Sequence, residues 1–280
     1  MDLWTIITIL IFASFLWPLL KNRLDFLKRL ALIKKIEEKR KSRVITMIHR
    51  QETLSILGIP LTRYITIEDS EQILRAIRLT PDTLPIDLIL HTPGGLLLAS
   101  EQIANALKRR QGKVTVIIPF YAMSGGTLIS IAADEILMAK DAVLGSLDPI
   151  ISSAGGNFYP AVSIVQALTV ANKNRSDQTL ILGDVAKKAI SQIKEIVYSL
   201  LLEHQDKNQA LQITKFLASG ERTHDFPLTF EQIKQLKLPV SDAIPEEINQ
   251  LMALYPQPAL KQQSVEFIPT PYQPIPKKNR

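Results

Sequence analysis

Two glycine-rich turns constrain the fold of this chain more than any other feature of its sequence. The first turn is HTPGG, from His91 to Gly95, and the second is YAMSGGT, from Tyr121 to Thr127. Each follows an apolar run typical of a buried strand, at 86–90 and at 114–118, and each leads into a helix-like run. Two strand–turn–helix units in succession predict a mostly parallel sheet with helices packed on it.

The same alternation continues on either side of the turns. Further short strands are predicted at 44–48, around Ile65 and at 135–139. Helices in this first half are expected at 70–78, where Asp69 would cap the start, and at 97–110 and 124–133. The second half shows helical spacing at 161–170, 185–202, 209–218, 230–235 and 245–254. The chain is therefore expected to be an α/β protein.

The residue types that are missing exclude several kinds of site. The chain has no cysteine, so disulfides, thiolate metal sites and a cysteine nucleophile are excluded. Its four histidines are scattered without metal-ligand spacing, and no phosphate-binding loop ending in GK[ST] is present. The sequence therefore predicts neither a metal site nor a cofactor site.

The N-terminal segment predicts a membrane anchor. Leu3 to Leu20 is a run without a charged residue, about 27 Å long as a helix, against about 30 Å for the hydrocarbon core. Trp4 and Trp17 lie near its ends, as interfacial anchors often do. A cleaved signal peptide and a partner-binding helix are the alternatives, but signal peptides normally begin with positive charge, whereas this segment begins with Asp2. We predict a transmembrane anchor over 1–22.

Positive charge is concentrated beside that anchor. Residues 1–43 carry ten Lys or Arg and four acidic residues, whereas the other 237 carry 23 of each sign. This distribution does not suggest a nucleic-acid-binding face, and the positive-inside rule predicts an outward N-terminus and a cytoplasmic globular domain. The basic helix expected at 23–42 could lie on the inner leaflet or form a solvated stalk. The domain is expected to span 43–254, before a proline-rich, disordered basic tail at 255–280.

Several motifs in a fixed order resemble a known family. Strand–HTPGG–helix is followed by strand–YAMSGGT–helix, then by AADEI (132–136), LGSLDP (144–149), GDVAKKA (183–189) and SGERTHDFPLT (219–229), with IHRQE (48–52) upstream. From Arg43 to Pro258 the chain is similar to the serine dehydrogenase proteinases. These are membrane-anchored members of the Clp-protease/crotonase superfamily, related to signal peptide peptidase A. The resemblance implies a Clp/crotonase-like fold, protein or peptide substrates and a homo-oligomer.

The resemblance also implies the parts of a serine peptidase site. Ser124 would be the nucleophile, and the amides of Gly95 and Gly125 would form the oxyanion hole. The chemistry fits these residue types, since a serine at a glycine turn has backbone N–H groups close by to stabilise an oxyanion.

The general base is the open part of this prediction. None of the four histidines lies in 143–153, the region in which Clp peptidases carry their base. Relatives of signal peptide peptidase A use a serine–lysine dyad, and the resemblance favours Lys188, near the expected start of the long helix. A lysine can act as a base when burial lowers its pKa. Helical geometry does not separate Lys188 from Lys187, and Lys173 and His224 also remain candidates.

We therefore expect a membrane-anchored serine endopeptidase with a Ser124–Lys188 dyad and an acyl-enzyme intermediate. A crotonase-type acyl-CoA enzyme, which polarises a thioester with the same paired amides, is one alternative. A non-catalytic membrane scaffold of the same fold is the other.

Overall fold

A five-stranded parallel sheet lies at the centre of the structure, a computed structural model that describes residues 3–50, 54–56, 59–61, 64–153 and 156–255. In chain order, the strands of this described part are β1 (Arg43–Ile48), β2 (Leu54–Ile56), β3 (Ile59–Leu61), β4 (Ile86–His91), β5 (Val114–Ile118), β6 (Tyr121–Ala122), β7 (Glu135–Met138), β8 (Val143–Gly145), β9 (Ile150–Ser152), β10 (Phe158–Pro160), β11 (Pro227–Thr229) and β12 (Val240–Ser241). The helices are α1 (Leu3–Arg40), α2 (Ile67–Arg78), α3 (Leu97–Lys108), α4 (Gly125–Ser130), α5 (Ala161–Thr169), α6 (Asp177–Leu201), α7 (Lys207–Leu217), α8 (Phe230–Gln235) and α9 (Glu246–Ala253).

The order of the strands brings the two glycine turns together. The sheet has the order β1-β4-β5-β7-β12, and all neighbouring strands are parallel. Every residue of β4 and β5 is buried, as apolar strands covered on both faces should be. Adjacent parallel strands end at the same edge of a sheet, so the segments that follow β4 and β5 are neighbours. One of those segments contains β6, which joins a small sheet of order β11-β8-β6.

Helices cover both faces of the central sheet. On one face, Leu88, Val116 and other buried strand residues pack in a large core with residues of α2, α3, α4, α6 and α7. On the other face, alternate strand residues such as Ile89 and Ile117 pack against α9 and against Ile36 of α1. This arrangement confirms the predicted α/β fold with a mostly parallel sheet and flanking helices.

Helix α1 runs without a break from Leu3 to Arg40, and its last turns pack on the globular part. The guanidinium of Arg40 pairs with the buried Asp87 of β4 at 2.6 Å, and Asp87 also accepts a hydrogen bond from Ser42. Lys39 pairs with Glu247 of α9 at 3.0 Å. The C-terminal part of the basic segment predicted at 23–42 is therefore attached to the domain. Within the described residues, no helix is sufficiently long and hydrophobic to span a membrane.

Several predicted helix starts differ from the observed ones, three of them near the candidate site residues or their caps. Helix α2 begins earlier, because Thr66 is its N-cap and Asp69 completes a capping box three residues later. Helix α4 is shorter than predicted and starts after Ser124. Helix α6 begins at Asp177, because the Ser176 hydroxyl accepts the N–H of Thr179. Asp184, the residue before the predicted start at 185, is consequently inside the helix. The predicted tail, apart from Tyr255, lies outside the described residues.

Candidate active site

Backbone hydrogen bonds join the two glycine turns directly. Thr92 N–H donates to Tyr121 O at 3.2 Å, and Met123 N–H donates to Thr92 O at 2.9 Å. Thr92 and Ala122 therefore form a parallel bridge immediately before the functional residues of both turns. The bridge fixes the position of Gly94 and Gly95 relative to Ser124.

The first turn is also held on its other side, by Ile65. Ile65 N–H donates to Gly94 O at 2.7 Å, and Leu96 N–H donates to Ile65 O at 2.9 Å. In such a parallel bridge, the N–H of the residue in between, Gly95, points away from Ile65. A side chain at Gly95 would overlap the Ile65 backbone, and Gly94 has φ 105°, so both positions require glycine.

Ser124 occupies a strained turn between β6 and α4. Its φ of 48° and ψ of −113° are rare for a residue with a side chain, and such strain is concentrated at functional sites. This strand–turn–helix geometry resembles the nucleophile elbow that exposes the serine of α/β-hydrolases. A Cβ built on Gly94 would lie 2.8 Å from the Ser124 Cβ, so the two turns are in contact at this point.

Gly125 supplies a second backbone N–H beside the serine. It is the first residue of α4, and the first N–H groups of a helix have no partner inside the helix. A side chain here would overlap the Ser100 hydroxyl of α3, which explains the glycine. Ser124 and the two predicted oxyanion-hole residues, Gly95 and Gly125, thus lie together.

A cavity of about 440 Å³ opens on these three residues. Its walls are mostly apolar, and two further polar side chains face it, Asp148 and His224. The apolar and backbone lining comes from Pro93, Leu96, Leu97, Leu128, Leu147, Pro149, Ile150, Ile151, Ala189 and Ile193. A cleft of this size and character is suited to binding a ligand with apolar groups.

Asp148 and His224 reach the cavity from two separate loops. Asp148 is only 4% exposed, and its Oδ1 has no hydrogen-bond partner in the described part of the chain. Burial raises the pKa of this carboxyl, while a hydrogen bond from Ser146 and the charge of His224 oppose the rise. The Nδ1 atom of His224 is also buried without a partner among the described residues. These two unpaired atoms could orient an imidazole or receive a substrate group.

The lysines predicted as base candidates are elsewhere on the surface. The Lys188 ammonium pairs with Asp184 at 2.6 Å, and the Lys188 side chain is 70% exposed. Lys187 and Lys173 are exposed as well. Helix α6 faces the cavity with Ala189 and Ile193 instead. The structure therefore does not bring Lys188 to Ser124, and the Ser–Lys dyad stays a prediction.

The other histidines do not line the cavity. His91 is buried against Tyr121, with ring centroids 4.1 Å apart, and against Phe120. Burial, together with the charges of Arg50 and His49, lowers the pKa of His91 to about 4. His49 contacts Thr92, and His204 lies 4.0 Å from Asp134. Of the described histidines, only His224 shares a cavity with Ser124.

The sequence alone does not show that Asp148 and His224 share a cavity with Ser124. In the sequence, Asp148 belongs to the motif LDP and His224 to the motif THD. The two motifs lie far apart in the chain and away from Ser124. In the structure both line the cavity of Ser124, and Leu147 N–H, next to Asp148, donates to Leu217 O at 2.9 Å at the end of α7, the helix that precedes the His224 loop. Among the described residues, no group of three or more His, Asp or Glu side chains could hold a metal ion.

Comparisons with known proteins agree with this geometry. A family model described as ClpP-like SDH-type serine proteinase matches residues 1–280. Two uncharacterised proteins of Methanocaldococcus jannaschii are similar over 94% of this chain. One is 54% identical over 262 residues and 88% of its own length, and the other is 49% identical over 264 residues and 91% of its length.

Solved structures of one protease also show some likeness. They are two mutants of the 1510-N membrane-bound stomatin-specific protease, one of them in complex with a substrate peptide. The likeness covers 68% and 72% of this chain and 79% and 75% of theirs, at 22% and 21% identity. The TM-scores are 0.45 and 0.46.

Proposed function

Because this chain belongs to the family of ClpP-like SDH-type serine proteinases, which its motifs predicted, we propose that it is a serine endopeptidase with Ser124 as nucleophile. The observation that carries the proposal is the strained backbone of Ser124, beside the N–H groups of Gly95 and Gly125 and at the wall of an apolar cavity. Acyl transfer needs this combination of a nucleophile, oxyanion donors and a binding cleft.

The proposed reaction is peptide hydrolysis in two steps. The Ser124 hydroxyl attacks the scissile carbonyl and loses its proton to a base, while the two glycine N–H groups stabilise the oxyanion. The tetrahedral intermediate then collapses, and the base returns its proton to the leaving amine. Water attacks the resulting acyl-enzyme through the same base and releases the second product.

For the base we propose His224, oriented by Asp148. Two observations support this choice: both side chains line the cavity that contains Ser124, and each has a buried polar atom without a partner among the described residues. Asp148 would hold the imidazole and stabilise the cation that forms, which is the role of the acid in a catalytic triad. Lys188, favoured by family resemblance, is the second candidate and would have to leave Asp184 to act.

Membrane anchorage and self-association belong to the same proposal. The uncharged run from Leu3 to Leu20 and the positive charges that follow it support a single-pass anchor with the N-terminus outside. The catalytic domain would then face the cytoplasm, with protein or peptide chains as substrates. Family resemblance is what supports a homo-oligomer.

Labelling with a fluorophosphonate tests the nucleophile. The probe phosphonylates activated serines, so wild type should be labelled, with the adduct on the peptide that contains Ser124. Ser124→Ala should lose labelling by at least about 10³-fold. Ser152→Ala removes an exposed serine of β9 and is the matched control, with wild-type labelling expected. Equal labelling of wild type and Ser124→Ala would rule out the proposal.

A further inference from the structure

A chain of three polar side chains, two buried and one partly exposed, lies behind the first glycine turn, outside the cavity. We propose that Asp69, His49 and Thr92 position the oxyanion-hole loop, so that the Gly95 N–H points at the reacting carbonyl. This inference rests on the proposed peptidase function. None of the three residues lines the cavity, so each is a positioning residue and acts through the loop.

Thr92 is the member of the Asp69–His49–Thr92 chain that contacts the oxyanion-hole loop. Its side chain is fully buried, and its backbone is bonded to Tyr121 and Met123 on the serine side. The Thr92 Oγ1 lies 3.2 Å from the N and 3.3 Å from the O of Gly94. A single hydroxyl therefore contacts both polar groups of the residue that precedes Gly95.

His49 links Thr92 to the other side of the loop. The His49 ring is buried, with Nδ1 at 2.9 Å from Thr92 Oγ1 and Nε2 at 3.3 Å from Asp69 Oδ2. The same Asp69 oxygen accepts the N–H of Thr66 at 2.8 Å, next to Ile65, which bonds to both neighbours of Gly95. The Asp69–His49–Thr92 chain thus connects the two segments between which the loop is held.

The hydrogen bonds fit the donors and acceptors available. The Asp69 carboxylate accepts the N–H of His49 at Nε2, His49 Nδ1 and Thr92 Oγ1 are hydrogen-bonded at 2.9 Å, and the Thr92 hydroxyl donates to Gly94 O at 3.3 Å. The Thr92 oxygen keeps a lone pair that accepts the N–H of Gly94. Each group fixes the orientation of the next, so the chain stabilises the left-handed conformation of Gly94, with φ 105°.

The consequence for catalysis is geometric. An oxyanion-hole donor acts over a hydrogen bond of about 2.7 to 3.1 Å, and loss of one donor lowers the rate about 10²- to 10³-fold. A displaced Gly95 N–H should cost less than complete loss and should affect the transition state more than ground-state binding. A purely structural threonine would instead change stability and leave the rate of the bound complex unaltered.

The kinetics of fluorophosphonate inactivation separate these two roles. Phosphonylation of the serine builds charge on an oxygen in the oxyanion hole, and the maximal rate kinact is measured separately from the binding constant KI. Thr92→Val removes the hydroxyl at nearly constant shape. We expect kinact to fall about 10- to 100-fold with KI within about twofold. Thr92→Ser restores the hydroxyl and should return kinact to within about threefold of wild type.

Two further variants keep the test decisive. Thr115→Val removes a buried hydroxyl near the start of β5, at the end of the strand away from the glycine turns. Its kinact should equal that of wild type. Asp69→Asn changes a partly exposed member of the chain, so it tests the proposal even if Thr92→Val does not fold. Its kinact should fall about 3- to 10-fold with unchanged KI.

Opposite results would overturn the positioning role. They are an unchanged kinact in Thr92→Val and Asp69→Asn, a KI that rises in step with the loss, or failure of Thr92→Ser to restore the rate. Ser124→Ala separates this inference from the proposed function. If Ser124→Ala is unlabelled and Thr92→Val reacts normally, only the positioning role is wrong, whereas labelled Ser124→Ala would reject the peptidase itself.

Discussion

Two flanks of the same cavity, helix α6 and the loops of Asp148 and His224, carry candidate bases, but among these candidates only the loop residues line the cavity. On the helix flank, formed by α6, the lysines point to solvent and Lys188 pairs with Asp184 at 2.6 Å. On the loop flank, formed by Asp148 and His224, two buried polar atoms lack partners in the described part of the chain. The two flanks thus differ in the property on which the proposed base rests, which is a buried polar atom without a partner at the cavity that contains Ser124.

Replacing Asp148 tests the loop flank with the largest expected effect. Asp148→Asn keeps the size of the side chain but removes the charge that would stabilise a protonated His224. By analogy with triads, we expect kinact of fluorophosphonate labelling to fall about 10²- to 10⁴-fold, with little change in KI. Ser146→Ala removes the neighbouring hydroxyl and leaves the carboxylate, so its loss should be smaller. Similar rates for Asp148→Asn and wild type would remove Asp148 from the mechanism.

The buried ion pair between Arg40 and Asp87 is a control for stability, because it lies away from both flanks of the cavity. Arg40→Met leaves the Asp87 carboxylate, which is 2% exposed, without its cation. We expect the free energy of unfolding to fall by about 3 to 5 kcal/mol, measured by urea denaturation of the full chain. Asp87→Asn together with Arg40→Met should recover part of that loss. A change below about 0.5 kcal/mol would contradict the burial of the pair.

His91 provides a pH-dependent contrast with His224, because it is buried away from the cavity. Its pKa is lowered to about 4 in the folded state, against 6.5 for an ordinary histidine. Between these values the unfolded chain binds the proton and the folded chain does not, so stability falls as pH decreases from about 6.5 to 4. The loss is at most about 3 kcal/mol.

His91→Phe should remove this contribution. Urea denaturation at pH 7 and pH 4.5 measures it as the difference between wild type and variant, since other groups titrate equally in both. The variant should lose less stability than wild type over that interval. An identical loss in both proteins would show that His91 does not carry the effect.

The smallest expected effect concerns the helix flank itself. Lys188→Met removes an exposed ion pair within one helix, so the free energy of unfolding should change by less than about 0.5 kcal/mol. On the proposed mechanism, kinact should stay within about twofold of wild type. Lys187→Met, at an exposed neighbouring position, is the matched control. A loss confined to Lys188→Met would restore the predicted dyad.

The sequence allowed the sheet and the serine turn to be predicted because both depend on local pattern. Continuous apolar strands such as β4 and the glycines around Ser124 identify themselves within a few residues. The proposed base could not be found this way. Asp148 and His224 are separated along the chain, and only the folded structure shows that both line the cavity of Ser124. The start of α6 was also misplaced, because the cap at Ser176 precedes the strongest helical pattern.

The most direct test of the account compares His224→Ala with Lys188→Met in one experiment. Fluorophosphonate inactivation gives kinact for each variant, and mass spectrometry of the digested protein locates the adduct on Ser124. We predict that His224→Ala lowers kinact by at least about 10³-fold, while Lys188→Met reacts at the wild-type rate with its adduct on Ser124. Normal reaction of His224→Ala together with loss in Lys188→Met would contradict the account.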